Sequence, residues 1–309
     1  MKYIITGATG FLGKHLVKLM GDKYAICLGS KDIDLTKEEI PQDLITDGDV
    51  IIGLAAICGG IGANRNAPAD FLDKNLAIIK NTIKSWHNAN MGYKKVKLVG
   101  LGSVCSFPKH CPIPFKEEDL WNGYPEETNA PYGNAKRIFL EYIQTYHRQY
   151  GWDGIFLIPV NLYGEYDHFD LQNSHVIPAL IRKFYEAKVE GKESVVVWGD
   201  GSASREFLYA GEAARAIMLA IDNHTGTAPI NLGSGSEISI KDLATIIKGK
   251  IGYQGKIIWN GNMPNGQPRR CLNVEKAKSF GFTSEVPLCE GLDKTINWYI
   301  LNRQTILGE

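Results

Sequence analysis

"TGATGFLG", Thr6 to Gly13, follows the apolar run "KYIIT" without a break and opens the helical pattern "GFLGKHLVKLM". A strand that turns on glycine into a helix suits a dinucleotide. Gly7 permits the tight turn, Gly10 lets the backbone approach a pyrophosphate, and Gly13 lets the helix pack on its strand. The turn residues Gly7, Thr9, Gly10, Phe11, Leu12 and Gly13 are therefore the expected cofactor cradle. A second glycine cluster, "NLGSGSEIS", lacks the following spacing and reads only as the end of a strand.

Working outward from this turn, β-rich runs alternate with helical patterns: "YAICL", "DVIIGLAA", "PADFLDKNLAIIKNTIKSWHNAN", "KVKLVGLGS", "YGNAKRIFLEYIQTYHRQYG" and "GIFLIPVNLYG". Near-continuous apolar strands separated by helices predict a doubly wound parallel α/β sheet buried on both faces. After Gly164 the spacing loosens, with the helix "HVIPALIRKFYEAK" and the strand "SVVVWGDG". The expected division is a dinucleotide domain at 1–163, with a returning segment near 205–235, and a smaller α/β substrate lobe at 164–204 and 236–309.

The 309 residues carry 34 basic and 34 acidic side chains, a balance that excludes a general polyanion binder and leaves phosphate recognition to local groups. Six scattered cysteines without a CxxC pair read as reduced thiols, and no metal is expected. "MKYIITGATG" enters a strand directly, and no apolar run approaches the length of a membrane span, so a soluble, cytoplasmic chain is expected.

The end of the second strand discriminates between cofactors. An acid there would bond the adenosine ribose, whereas a cation would take a 2′-phosphate. Gly29-Ser30-Lys31 precede the first acid, Asp32, so Lys31 favours NADP(H) over NAD(H).

"PYGNAKRIFLEY" sets Tyr132 and Lys136 at i and i+4, on one face of a helix. An adjacent ammonium favours the phenolate and is expected to lower the tyrosine pKa from about 10. Tyr93 and Lys97 have the same spacing but run into a strand at ~3.3 Å per residue, which holds them roughly 13 Å apart. Ser103 lies at a strand end in "LVGLGSVCSFP". With Tyr132 and Lys136 it makes a carbonyl-activating site: Tyr132 donates the proton, Ser103 supports the oxyanion, and Lys136 tunes Tyr132 and holds the nicotinamide ribose.

These residues sit in longer blocks: "AAICGGIGANRNAPADFLDKN" (55–75), "GSVCSFPK" (102–109), "NAPYGNAK", "PVNLYGEYDHFD", "NSHVIPALIRKF", "VVVWGDGSASREFLY" and "PNGQPRRCLNVEKA". In this order, over nearly the whole chain, they resemble the extended short-chain dehydrogenase/reductases, and within them the GDP-sugar 3,5-epimerase/4-reductases. The resemblance implies a Rossmann-type fold and a homodimer joined through a four-helix interface. It implies an NADPH-dependent conversion of GDP-4-keto-6-deoxy-D-mannose to GDP-L-fucose. It further implies that Ser103, Tyr132 and Lys136 form the reductase triad and that Cys105 and His175 are the epimerase acid/base pair, His175 also lying beside the cofactor. Asn161 would lie near substrate and nicotinamide, and Lys183, Trp198, Arg205 and Arg270 near the nucleotide sugar.

Val104 and Phe107 stand where a second serine and a tyrosine are common in the family, and Lys183 replaces a frequent arginine; these departures bear on the sugar pocket. A 4,6-dehydratase would carry an Asp-Glu pair after the serine, where this chain has Val104-Cys105. The alternatives are another GDP-4-keto sugar, such as a heptose, and a non-catalytic NADP-binding regulator on the same fold.

Overall fold

The computed structural model describes residues 1–21, 25–171, 174–263 and 266–307. Tyr24, at the start of the expected second strand, and Asn173, Pro264 and Asn265 of the quoted blocks lie outside the described residues.

In chain order the first half holds β1 (Tyr3–Thr6), α1 (Phe11–Met20), β2 (Ala25–Leu28), β3 (Val50–Gly53), α2 (Ile61–Asn66), α3 (Pro68–Met91), β4 (Lys97–Leu101), α4 (Ala130–Tyr150) and β5 (Gly154–Pro159). The second half continues with β6 (Asn161–Tyr163), α5 (Val176–Val189), β7 (Ser194–Trp198), β8 (Ser204–Tyr209), α6 (Ala210–Asn223), β9 (Pro229–Leu232), β10 (Glu237–Ser239), α7 (Ile240–Ile251), β11 (Lys256–Asn260) and α8 (Leu288–Leu307).

Six strands form one parallel sheet in the order β2-β1-β3-β4-β5-β9. Its isoleucines, leucines and valines are buried on both faces, Ile4 and Ile5, Ile51 and Ile52, Leu98 and Val99 being adjacent pairs with no exposed surface. Each such side chain contributes about 1.5–3 kcal/mol of burial, which is why the strands read as unbroken apolar runs. Two helix pairs cover the sheet, α1 with α6 and α3 with α4. The strand order reverses beside β1, and the crevice at the carboxyl ends next to such a reversal is where open α/β sheets bind ligands.

The run "GIFLIPVNLYG" is two strands rather than one. Pro159 closes β5, having no N–H to continue the ladder, and after Val160 the chain joins a different sheet. That sheet, β10-β8-β6, and the parallel pair β11-β7 belong to a second core of Phe169, Ile181, Phe184, Leu243, Ile247, Leu292 and Tyr299. Among the described residues no helix is long and apolar enough to cross a membrane.

Candidate active site

The glycine turn leaves room for a ligand backbone and for little else. Gly7 has φ +68°, and a Cβ on it would stand 2.8 Å from the Ala55 nitrogen. A Cβ on Gly13 would stand 2.2 Å from the Gly7 carbonyl oxygen, so the helix packs this closely on the turn only because Gly13 lacks a side chain. Gly10 caps α1 without a side chain, and the first turn of α1 carries no acid, so its amides are left to an anion. Thr9, Phe11 and Leu12 lie on this turn. At the end of β2, Asp32 accepts the Gly29 amide through Oδ2 at 2.8 Å, and Lys31 is exposed beside it. These groups fit a phosphorylated dinucleotide.

The strand-end serine is built into a cap. Ser103 precedes a single 3-10 turn, Val104–Ser106, and its hydroxyl oxygen accepts the Cys105 amide at 3.2 Å. The first turn of α4 docks on this loop: Ser106 Oγ donates to the Gly133 carbonyl at 3.0 Å, and Arg137 Nε donates to the Ser106 carbonyl at 2.7 Å. Gly133 makes the approach feasible, since a Cβ there would stand 2.5 Å from the Cys105 carbonyl oxygen. The helix start thereby brings Tyr132 to the loop that holds Ser103 and Cys105.

Lys136, 2 % exposed, places its ammonium 5.7 Å from the centre of the Tyr132 ring. The tyrosine pKa does not fall as the spacing predicts. Burial raises it well above 10, and the Cys58 thiol, whose sulfur lies 3.4 Å from the phenol oxygen, raises it further. Burial also lowers Lys136. In a site this enclosed, desolvation of both groups outweighs their mutual attraction, and the phenol stays protonated. Tyr93 and Lys97 are separate, one 95 % exposed on a loop and the other in β4 beside Asp153.

Cys105 has a cation beside it. Arg270, 7 % exposed, donates Nη1 toward Cys105 Sγ at 3.6 Å, and its Nε and Nη2 both donate to Gln267 Oε1, at 3.0 and 2.8 Å. Gln267 in turn donates to the Lys109 carbonyl at 2.7 Å, fastening the arginine to the cysteine loop. Arg205 on β8 feels the same neighbourhood: burial and Arg270 lower its pKa to about 10. His175 opens α5 from the other lobe, and desolvation first and His168 second lower its pKa, so its imidazole is neutral at pH 7. The guanidinium that reaches the Cys105 sulfur is that of Arg270.

Asn161 donates to the Glu206 carbonyl at 2.8 Å and ties β6 to β8. Lys183 donates to the Val196 carbonyl at 3.0 Å and stands 5.9 Å from the ring of Trp198, which is 45 % exposed. Val104 and Phe107 are both buried in the core, Phe107 against Phe115. The second glycine cluster does more than end β9. Glu206, with no exposed surface, accepts the amides of Gly235 and Leu272 at 2.6 and 2.7 Å, and a Cβ on Gly233 would collide with its carboxylate. Cys58, Gln267 and Glu206 carried no spacing signal; each acts through a residue far along the chain. Among the described residues no group of three or more His, Cys, Asp or Glu could hold a metal ion.

The sequence profile of the NAD dependent epimerase/dehydratase family matches residues 3–233. The chain is 40 % identical to GDP-L-fucose synthase 1 of Arabidopsis thaliana over 97 % of its own length and 94 % of the relative's. A GDP-6-OMe-4-keto-L-xylo-heptose reductase from C. jejuni superposes with a TM-score of 0.87 at 28 % identity, covering 97 % of this chain and 98 % of that one. A GDP-L-fucose synthetase from Naegleria fowleri, solved bound to NADP, gives 0.84 at 28 %, covering 98 % and 93 %.

Proposed function

The chain belongs to the NAD dependent epimerase/dehydratase family, and from that membership we propose that it converts GDP-4-keto-6-deoxy-D-mannose to GDP-L-fucose, inverting C-3 and C-5 and then reducing C-4. The observation that carries the reading is the joining of two chemistries on one turn. Ser103 and Cys105 share a 3-10 loop, with Tyr132 brought to it by α4 and Arg270 brought to it by Gln267.

A ketone at C-4 makes the hydrogens on C-3 and C-5 acidic, because either carbanion is delocalised onto the C-4 oxygen. Ser103 and Tyr132 stabilise that enolate by hydrogen bonding. Inversion needs a base on one face and a proton source on the other, and Cys105 and His175 supply them from different lobes. The glycine turn, Lys31 and Lys136 would hold NADPH, which when bound would supply a hydride to C-4. Tyr132 protonates the resulting alkoxide, a role that a phenol kept neutral by burial suits. Arg205, Arg270, Lys183 and Trp198 hold the nucleotide sugar, and Asn161 borders it.

Incubation with NADPH and GDP-4-keto-6-deoxy-D-mannose, followed by NMR of the product, tests the reading; GDP-L-fucose supports it and unchanged substrate overturns it. The superposition on the heptose reductase favours a second reading, a GDP-4-keto-heptose substrate, which the same assay decides when that sugar is offered.

The division at 1–163 with 205–235 against 164–204 with 236–309 is part of the proposal, as is a cytoplasmic homodimer joined through α3 and α4. Ile138 and Tyr150 of α4, both exposed, support that interface.

A further inference from the structure

Cys58 is an exposed thiol that the proposed reaction does not use, yet its loop is rigidly held. Asn75, 1 % exposed on α3, accepts the Ile57 amide and donates to the Ile57 carbonyl, both at 3.0 Å. On the other side Asn64 donates to the carbonyls of Gly59 and Gly60, at 2.9 and 3.1 Å. Between these two clamps the Cys58 sulfur stands 3.4 Å from the Tyr132 hydroxyl. The tyrosine is anchored independently, by the seating of α4 on the Ser103–Ser106 loop. Two separately fixed elements therefore meet at one sulfur–oxygen contact.

We propose that Cys58 is a positioning residue for Tyr132: its sulfur holds the phenol hydroxyl in place and protonated until the ketone oxygen replaces it as hydrogen-bond partner. The inference rests on Tyr132 being the proton donor. The titratable groups facing the phenol are Cys58 from the loop after β3, Cys105 from the loop after β4, and Lys136 from its own helix. The Cys58 contact raises the tyrosine above its ordinary value, so removing it lets the phenol ionise at lower pH.

The test measures ketone reduction by NADPH across pH in the full-length wild-type enzyme, Cys58→Ala, Cys58→Ser and Tyr132→Phe. Cys58→Ala is expected to lower kcat about threefold to tenfold, the range of one hydrogen bond. KM for the GDP-sugar stays unchanged, and the alkaline limb of the profile moves to lower pH. Cys58→Ser, which keeps a hydroxyl partner, restores both. A Cys58→Ala enzyme with wild-type kcat and an unmoved limb overturns the inference, as does a serine variant no better than alanine. If Tyr132→Phe reduces at the wild-type rate, the functional reading itself falls. If Tyr132→Phe is inactive while Cys58→Ala matches wild type, only the role of Cys58 falls.

Discussion

Arg270 and Cys105 are 165 residues apart in the chain and 3.6 Å apart in the structure, guanidinium nitrogen to sulfur. The arginine's other bonds go to a neutral amide, Gln267, so its charge is not spent on a carboxylate. In the proposed exchange Cys105 gives up or takes a proton, so its sulfur is negative at one end of the step, and Arg270 would stabilise that state. Arg270→Met is expected to slow deuterium uptake at C-3 and C-5 about tenfold to a hundredfold, the worth of a hydrogen bond to a charged group. Cys105→Ser slows the same uptake while NADPH binding survives. Exchange by NMR checks both, and wild-type exchange in Cys105→Ser removes the cysteine from the mechanism.

Ser103 accepts the Cys105 amide, and in the proposed reaction it also offers its hydroxyl to the ketone oxygen. Losing it should harm both half-reactions, whereas a residue that served the hydride step alone would leave exchange intact. Ser103→Ala is expected to lower deuterium exchange and ketone reduction together, each roughly a hundredfold, the scale of one oxyanion donor. Ser103→Thr keeps the cap and a donor and is expected to recover most of the exchange.

If His175 is the base of the proposed exchange, the pH dependence of exchange follows from it. Its pKa is lowered by desolvation and by His168, so the neutral, proton-accepting form persists to lower pH than for a free imidazole. The acid limb of exchange is therefore expected below the ordinary value of about 6.5. His168→Gln removes the like charge and moves the limb upward, toward that value. NMR titration of the His175 ring reads the shift directly; a limb that does not move excludes His168 as its cause.

Some of this site was legible residue by residue. The glycine turn, the i, i+4 pair of Tyr132 and Lys136, and the strand-end Ser103 are local patterns whose geometry follows from backbone periodicity. The pKa of Tyr132 was not legible, because its sign is set by enclosure, and enclosure depends on how β3, β4 and α4 converge. Gln267 and Cys58 escaped for the same reason: a glutamine beside a proline and a thiol before two glycines acquire their meaning from partners 158 and 74 positions away. Val104 and Phe107, read as departures bearing on the sugar pocket, are buried among core residues, where packing also sets their size.

Glu206 holds the loop after β9 to the segment that carries Arg270. Its carboxylate accepts the buried Leu272 amide and the amide of Gly235, which is exposed. Glu206→Ala leaves the Leu272 amide buried without a partner, at about 1–3 kcal/mol, whereas water can replace the bond to Gly235. Urea unfolding is expected to show a loss of about 1–3 kcal/mol. Glu206→Gln, which keeps an acceptor oxygen, is expected to lose less; equal losses would show that the carboxylate's charge, not its hydrogen bonding, is what matters.

The choice of cofactor rests on two neighbours at the end of β2. Asp32 gives one carboxylate oxygen to the Gly29 amide, which turns that oxygen toward the loop. Lys31 beside it is an exposed cation that a 2′-phosphate would meet. Lys31→Ala is expected to weaken the preference for NADPH over NADH about tenfold, the effect falling on KM for NADPH and little on kcat, because the phosphate is remote from the reacting carbon. Raising the salt concentration shrinks the wild-type preference in the same direction, since an exposed ion pair is screened. Steady-state kinetics with both cofactors measure the ratio; a preference that survives the substitution intact would mean that another cation reads the 2′-phosphate.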